Sequence, residues 1–205
     1  MYNRILKRLI DIVLSLLGIV VLAIPMLAVA LVIRIEDPGP AIFRQKRFGI
    51  RKSFFQLYKF RSMRLGAPHD VPTHLLEDPE QYLLPCGAFL RKFSIDELPQ
   101  LFNILKGDMS IIGPRPALWN QEDLIEEREK YGANDVLPGL TGWAQINGRD
   151  ELEIPVKARL DGEYAQKLSF SMDLRCFFGT IGKVLRHEGV VEGGTGELNK
   201  KGKSE

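Results

Sequence analysis

The chain has 205 residues, 45% of them apolar, and its 28 Lys and Arg residues nearly balance its 26 Asp and Glu residues. This composition excludes a collagen-like chain, a disordered polar tail and a disulfide scaffold, because it supplies apolar residues for a core and only two cysteines. Cys86 and Cys176 are far apart and belong to no Cys/His cluster, so neither a zinc site nor a redox motif is indicated.

The net charge of +2 hides an uneven distribution along the chain. Residues 1–64 contain 12 Lys and Arg but only 3 Asp and Glu, so the remainder of the chain is acidic. A basic half of this kind favours contact with anionic partners, such as phosphate groups or the headgroups of a membrane.

The first predicted element is a membrane helix, because Ile12 to Ile33 are 22 residues without a charge. As a helix this segment would be about 33 Å long, which is enough to cross the hydrocarbon core of a bilayer. A cleaved signal peptide fits less well, since the apolar run continues past the loosely matching cleavage pattern at residues 28–30.

Basic residues flank this segment on both sides, which would place both flanks on the cytoplasmic face. A helix that enters the membrane and returns satisfies that condition, and Pro25 predicts a bend at Ile24-Pro25. The alternative is a proline-kinked single-pass helix with its amino terminus inside. Charge favours re-entry only slightly, and both topologies remain open.

A turn cluster at residues 36–40 ends the helix, and two short strands are predicted next, at 41–43 and 54–58, flanking a basic turn. The interval 34–64 is strongly basic and is either a solvated loop or a surface for lipid headgroups and phosphates. Residues 65–85 contain His, Asp and Glu at irregular spacing among prolines, which indicates a surface loop and not a metal site.

The clearest helical pattern runs from Ser94 to Gly107, with leucine and phenylalanine at helical spacing and a Lys-Gly stop. Either Ser94 or Asp96 is expected to cap its amino terminus. An Asp96-Glu97 pair at a helix start usually serves only to cap it and to complement its dipole. Arginines nearby, however, also fit metal-assisted phosphoryl transfer or a plain ion-pair network.

The rest of the chain predicts a strand at 110–112 running into a rigid Gly-Pro-Arg-Pro turn, and an exposed charged helix at 120–130. A glycine-rich segment follows at 138–149, and a helix is predicted over 172–186. That last helix is either interfacial or packed in the core. The polar tail from residue 193 is expected to fray.

Four motifs in this order resemble the monotopic bacterial phosphoglycosyl transferases, the bacterial sugar transferase family. They follow the basic-apolar amino terminus and are FRQKRFG at 43–49, YKFRSM at 58–63, FSIDELPQLFNILKGDMSIIGPRP at 93–116 and PGLTGWAQINGR at 138–149. The resemblance covers residues 2–191. It departs at the helix break, where the family often has Ser-Pro and this chain has Ile24-Pro25.

The resemblance implies an α/β fold that is mainly helical with few short strands. We expect a re-entrant membrane helix at 1–36, a catalytic domain with interfacial helices at 37–192 and a flexible tail at 193–205. The implied reaction moves a sugar phosphate from a UDP-sugar to polyprenol phosphate and releases UMP, as the first membrane step of surface-glycan synthesis. Anionic membrane lipids are further expected partners, and nucleic acid is not; a homodimer is left open.

In this family the Asp of the dyad, here Asp96, is the nucleophile that forms a covalent phosphosugar intermediate, and Glu97 assists it. Both are candidate ligands of a Mg²⁺ cofactor. The resemblance places the protein in the bacterial inner membrane with its catalytic domain on the cytoplasmic face. The candidate substrate- or phosphate-binding residues are Lys59, Arg91, Arg115, Asn147, Arg149, Asp161 and Tyr164.

Two other classes of protein compete with this interpretation. In a membrane-bound adaptor the two acids would only cap a helix and the arginines would only bind headgroups. A metal-dependent phosphohydrolase would pass the phosphoryl group to water, but no second acidic cluster with paired-metal spacing supports it. The sequence does not identify the sugar, the polyprenol or the glycan.

Overall fold

A computed structural model describes residues 2–68, 79–148 and 152–186. The described part is mainly helical with few short strands, as predicted. After a π-helical turn at Tyr2–Leu6, the helices are α1 Lys7–Glu36, α2 Gly87–Lys92, α3 Gln100–Lys106, α4 Glu122–Glu129, α5 Trp143–Ile146, α6 Ile154–Gln166 and α7 Phe170–Arg186. The strands are β1 Ile42–Phe48, β2 Phe54–Phe60, β3 Ser110–Ile112 and β4 Gly139–Thr141.

Helix α1 contains the predicted apolar segment and is the one helix in the described residues that is long and apolar enough to cross a membrane. Its leucines, valines and isoleucines are mostly exposed, while Met26 and Ile33 pack against Phe60 and two leucines of the following domain. Pro25 lies inside the helix, and helical residues continue on both sides of it. Re-entry and a bend at this proline stay predictions.

Strands β1 and β2 form an antiparallel hairpin in which Ile42 pairs with Phe60 and Phe48 with Phe54. The predicted basic turn is therefore wrong in its extent, because residues 44–48 are part of β1 and only 49–53 connect the strands. Alternation explains the error: Arg44 and Lys46 lie on the exposed face of the strand, where charge does not oppose strand formation, and Gln45 between them is buried.

The predicted helix over 94–107 is divided. A single 3-10 turn covers Ile95–Glu97, and α3 begins only at Gln100 after Pro99. The capping prediction is wrong, since Ser94 is left-handed at φ 55° and no side chain caps the turn. Its carboxyl end is as expected, because Gly107 adopts φ 99° and closes the helix.

Strands β3 and β4 form a parallel pair in which Ser110 lies beside Gly139 and Ile112 beside Thr141. The glycines let these segments touch: a Cβ atom on Gly139 would lie 2.1 Å from the backbone nitrogen of Gly113. This contact places the Gly-Pro-Arg-Pro turn directly against the glycine-rich segment.

Helices α4 and α7 partly match their predictions. Helix α4 is charged, but Leu124, Ile125 and Arg128 on it are buried, so it is not wholly exposed. Helix α7 buries Met172 and Cys176 and exposes Phe177 and Phe178 among its apolar residues, so it has both a core face and an exposed apolar face.

Helix α6 is an element that the sequence patterns did not predict. Its residues include Lys157, Arg159, Asp161 and Gly162, which interrupt any apolar stripe. Towards α4 the helix packs through Ala158 and Gly162, small residues that hydrophobic periodicity does not detect, and it also buries Tyr164.

Candidate active site

A cavity of about 600 Å³ lies beside the β1–β2 hairpin and is bounded by both strands and the chain that follows them. Its walls carry six cationic side chains and one acidic side chain, that of Asp96. The cationic residues are Arg44, Arg47, Lys59, Arg61, Arg64 and Arg91. An anionic ligand of the size of a nucleotide suits a cavity of this volume and charge.

Asp96 and Glu97 lie on the 3-10 turn between α2 and α3, and both are buried, at 7% and 8% exposure. Only Asp96 lines the cavity; Glu97 is not among the residues that bound it. Adjacent residues on a tight turn point in different directions, which explains why one carboxylate faces the cavity and its neighbour faces the protein.

Two cations bind the same oxygen of Glu97. The ammonium group of Lys59 lies 2.8 Å from Glu97 Oε1, and Arg115 Nη2 lies 2.7 Å from the same atom. The distance from Lys59 Nζ to Asp96 Oδ2 is longer, at 3.8 Å. Glu97 is thus neutralised by direct hydrogen bonds from Lys59 and Arg115. The ammonium group of Lys59 lies too far from Asp96 to form a hydrogen bond with it.

This asymmetry separates the pKa values of the two acids. Burial raises the pKa of Asp96, and the negative charge of Glu97 adds to this effect, while Lys59, Arg91 and Arg115 oppose it. Burial also favours the protonated form of Glu97, but Arg115 and Lys59 outweigh it and hold the pKa of Glu97 well below its usual value. Neighbouring acids with pKa values driven apart are typical of a catalytic site.

Comparison with known proteins identifies the family. Residues 2–187 match the family model for bacterial sugar transferases. A Bacillus subtilis protein named as an uncharacterized sugar transferase, EpsL, is 41% identical over 188 residues, which cover 92% of this chain and 91% of that protein. The chain belongs to the bacterial sugar transferase family.

Two more relatives connect this sugar transferase with named activities or pathways. The exopolysaccharide production protein PSS of Rhizobium leguminosarum is 40% identical over 193 residues, covering 87% of this chain and 94% of that protein. The UDP-glucose:undecaprenyl-phosphate glucose-1-phosphate transferase of Escherichia coli is 39% identical over 188 residues. This chain spans only 40% of the length of the latter protein, although 88% of the chain is matched.

Of the site residues predicted from sequence, the sugar transferase brings five together: Lys59, Arg91, Asp96, Glu97 and Arg115. Lys59 is carried by β2, where it lies opposite Phe43 of β1, and Arg91 is carried by α2. The charge of Arg91 lowers the pKa of Asp96, and both residues line the cavity.

The remaining predicted residues lie elsewhere. Asn147 is exposed, and its side-chain amide donates to the carbonyl of Trp143 at 2.8 Å. Asp161 and Tyr164 are buried on α6, Asp161 against Arg128 and Tyr164 against Asp173, and neither bounds the cavity. Arg149 lies outside the described residues, as do the histidines at 69 and 74 of the predicted surface loop.

Sequence reasoning did not single out four of the arginines that line the cavity or the buried Arg128. Arg44 and Arg47 lie on β1, Arg61 and Arg64 follow β2, and the sequence alone does not show that all four side chains line one cavity. Arg61 is also held by Asp37, just past the end of α1, so the long apolar helix is connected directly to a cavity wall.

Whether the site suits the expected Mg²⁺ depends on its oxygen ligands. No group of three or more metal-binding side chains occurs in the described residues. Mg²⁺ nevertheless needs only one or two carboxylates when substrate phosphates and water complete its shell. Asp96 at the cavity wall fits that requirement, whereas Glu97 Oε1 already accepts hydrogen bonds from two cations.

Proposed function

We propose that this sugar transferase moves a sugar 1-phosphate from a UDP-sugar to undecaprenyl phosphate or a similar polyprenol phosphate, releasing UMP. The observation that carries the proposal is the position of Asp96, a buried carboxylate at the wall of a cavity whose other charged side chains are all cationic. The name of the Escherichia coli relative, which specifies a UDP-glucose donor and an undecaprenyl-phosphate acceptor, supports the substrate classes.

In the proposed first step, a carboxylate oxygen of Asp96 attacks the phosphorus that carries the sugar. The bond from this phosphorus to the bridging oxygen breaks, and UMP leaves with that oxygen and its electron pair. The product is a phosphosugar joined to Asp96 by a mixed anhydride, a covalent intermediate of the kind that carboxylate nucleophiles form.

In the second step, an oxygen of the polyprenol phosphate attacks the same phosphorus, and the bond to Asp96 breaks. The carboxylate is regenerated, and the product is a polyprenyl diphosphate sugar. Both steps bring negative groups together, so cations must offset the repulsion. We assign this role to Lys59 and Arg91 at the cavity wall, supported by Arg115 on Glu97, and bound Mg²⁺ would add Lewis-acid polarisation of the phosphate oxygens.

The contacts of Glu97 suit a supporting role. Because Lys59 and Arg115 both bind Glu97 Oε1, this carboxylate fixes two cations at the edge of the site. A nucleophile held in the same way would be blocked by its partners. Asp96, 3.8 Å from Lys59 Nζ, keeps an approach from the cavity.

The decisive experiment is an incubation with UDP-glucose or UDP-galactose and Mg²⁺ in the absence of lipid acceptor. We expect the intact mass of the protein to rise by one phosphosugar, with UMP released in equal amount, and no such change for Asp96→Asn. A protein that releases UMP only after lipid is added, without any adduct, would contradict the covalent mechanism. Absence of UMP release with every UDP-sugar tested, with and without polyprenol phosphate, would contradict the proposed donor and reaction.

We also propose that α1 enters the membrane and returns to the cytoplasmic face, where the catalytic domain lies. Both ends of the helix are held by that domain: Lys7 by Asp173 at 2.6 Å near the start, and Glu36 by the backbone N–H of Cys86 at 3.1 Å at the end. A helix crossing the bilayer once would carry one of its ends about 30 Å away from the domain.

Cysteine labelling tests this topology. Single cysteines at Tyr2 and at the exposed Ser53, in a background with Cys86→Ser and Cys176→Ala, should react from the same side of sealed membrane vesicles. A cysteine at the exposed Lys130 on the catalytic domain reports the cytoplasmic side. Reaction of the Tyr2 and Ser53 positions from opposite sides would establish a single-pass helix instead.

A further inference from the structure

The loop that carries Arg115 has an unusual means of support. Pro114 and Pro116 lack N–H groups, so the loop at residues 113–116, here called the Arg115 loop, is held largely through its carbonyl oxygens. The carbonyl of Pro114 accepts the N–H of Gly139 at 2.9 Å, and the carbonyl of Pro116 accepts Arg47 Nη1 at 3.0 Å. The carbonyl of Arg115 itself accepts Arg128 Nη2 at 2.9 Å.

The donor to the Arg115 carbonyl is a buried cation. Arg128 is 3% exposed and Asp161 is 1% exposed. Arg128 Nε and Nη2 donate to Asp161 Oδ2 at 2.9 and 2.6 Å. The same Nη2 atom therefore joins the Asp161 carboxylate to the Arg115 carbonyl.

Small residues bring together the two helices that carry this ion pair, α4 with Arg128 and α6 with Asp161. Ala158 is fully buried on α6, one turn before Gly162, on the face that also carries Asp161. A Cβ atom on Gly162 would lie 2.2 Å from the Cβ of Tyr131, which follows α4. The sequence thus keeps α6 close enough for Asp161 to reach Arg128.

The position of the Arg115 carbonyl affects the candidate active site, because the side chain of the same residue binds Glu97. Arg115 Nη2 lies 2.7 Å from Glu97 Oε1, so a shift of the loop would lengthen that contact and release Glu97 toward Asp96. Positioning errors of about 1 Å far from the reacting atoms can cost about a hundredfold in rate.

We propose that Arg128, held by Asp161, is a positioning residue that fixes the Arg115 loop and through it the Arg115–Glu97 contact. The kinetic consequence rests on the proposed function, whereas the effect on the loop does not. Asp161 thereby acquires a role in the site without touching substrate.

Hydrogen exchange of backbone amides tests the effect on the loop without any substrate. The reporters are the N–H groups of Gly139 and Phe48, which donate to the carbonyls of Pro114 and Ala117. Arg128→Met should accelerate exchange of both by at least about tenfold, since a donor to the loop is lost. Lys130→Met is the matched control, because the side chain of Lys130 is 64% exposed and pairs with Glu127 on α4.

Arg128→Met leaves Asp161 as a buried unpaired charge and can unfold the protein for that reason alone. The double variant Arg128→Met/Asp161→Leu removes both charges, and replacement of a buried ion pair by apolar groups is often tolerated. It still lacks the donor to Arg115, so it should show the same faster exchange while retaining its melting temperature.

Kinetics of adduct formation test the consequence for the site, using UDP-glucose or UDP-galactose, whichever the unaltered protein consumes. In the double variant the rate constant should fall about tenfold to a hundredfold. In an Arg115→Met background the same double change should alter the rate constant less than about twofold, because residues that act through one group are not additive. A purely structural role would instead lower the reacting fraction and leave the rate constant unchanged.

The exchange and rate measurements together separate the loop proposal, its kinetic part and the proposed function. Unchanged exchange at Gly139 and Phe48 in the double variant would overturn the proposal, whatever the activity. Faster exchange with an unchanged rate constant would overturn its kinetic part. If exchange accelerates but the unaltered protein forms no adduct with any UDP-sugar tested, the positioning of the loop stands and the proposed function fails.

Discussion

Two buried carboxylates in this protein have opposite surroundings. Asp173 on α7 accepts hydrogen bonds at Oδ2 from the Tyr2 hydroxyl and the Lys7 ammonium, both at 2.6 Å, and its Oδ1 lies 2.7 Å from the Tyr164 hydroxyl. Asp96 lies at the wall of a cationic cavity, with the ammonium of Lys59 at 3.8 Å from its Oδ2. Burial alone therefore does not distinguish Asp173, enclosed by donors, from Asp96, the proposed nucleophile.

The difference lies in how completely each carboxylate is satisfied. Three donors around Asp173 connect the amino terminus, α6 and α7, and burial together with the hydrogen bond and charge of Asp173 raises the pKa of Tyr164 far above its ordinary value. Such a network stabilises a structure because every member has a partner. Asp96 also has a raised pKa, but donors do not enclose it in this way. Incomplete enclosure of a buried carboxylate lowers the stability of the fold, but it leaves a carboxylate oxygen available to a substrate.

The largest expected effect is the loss of adduct formation in Asp96→Asn. The rate should fall at least about a thousandfold, since the amide is not a nucleophile for phosphorus. The melting temperature should not fall by more than about 2 °C, because the variant removes a charge that burial disfavours. Thermal unfolding and intact mass measured on the same preparation check both parts.

A large drop in stability of Asp96→Asn, with a normal rate in the molecules that remain folded, would reverse the comparison. Asp96 would then be the structural acid. Asp173→Asn is the internal control for this outcome, since it removes a buried carboxylate that does not border the cavity.

The second largest effect is expected in Glu97→Gln, which tests the division of roles inside the site. Adduct formation should slow about a hundredfold, because Lys59 and Arg115 lose their common anionic partner and are no longer fixed. The pH profile should move as well. Glu97 raises the pKa of Asp96, so its neutralisation lowers that pKa.

In the unaltered protein, adduct formation should decline as the pH falls through the raised pKa of Asp96, above the ordinary aspartate value. In Glu97→Gln the same decline should occur at lower pH. Measurement of the donor half-reaction alone avoids titration of the lipid phosphate. A shift of the acid limb to higher pH would show that Glu97 does not act on Asp96 through its charge.

Sequence reasoning succeeds and fails here for physical reasons. Local motifs mark Asp96, Glu97 and Arg115, since each lies in a short segment with its own turn chemistry. The buried state of Arg128 is not visible locally, because its helix also carries five acids and is typical of a solvated surface. Its burial depends on Ala158 and Gly162, which lie some thirty positions later on a helix without an apolar stripe.

A third prediction concerns stability and tests the enclosed carboxylate. Asp173→Asn should lower the stability by about 3 kcal/mol, because the buried ammonium of Lys7 loses its counter-ion. The rate constant of adduct formation in the folded fraction should stay within about threefold of the unaltered value. Thermal unfolding in detergent, followed by circular dichroism, measures the first quantity.

The double variant Lys7→Met/Asp173→Leu serves as the control for the Asp173→Asn result. Removal of both charges should restore most of the lost stability if an unpaired ammonium is the cause. If the double variant is as unstable as Asp173→Asn, the hydroxyl groups of Tyr2 and Tyr164 are the partners that matter.

The smallest expected effect comes from Ser94, two residues before Asp96. Ser94 has φ 55°, a left-handed conformation that costs a residue other than glycine about 1 kcal/mol. Ser94→Gly removes this strain but makes the unfolded chain more flexible, so the two terms should cancel to within about 0.5 kcal/mol. The rate of adduct formation should remain within about twofold, because glycine retains the same backbone path.

Ser94→Val shows whether that backbone path matters to Asp96. A β-branched residue strongly disfavours the left-handed region, so the turn carrying Asp96 should shift and the rate should fall about tenfold or more. The two substitutions differ in backbone preference at one position while neither touches the carboxylate. Equal rates for the glycine and valine variants would mean that the contacts with Lys59 and Arg115 alone hold the acidic pair, and that the turn adds nothing.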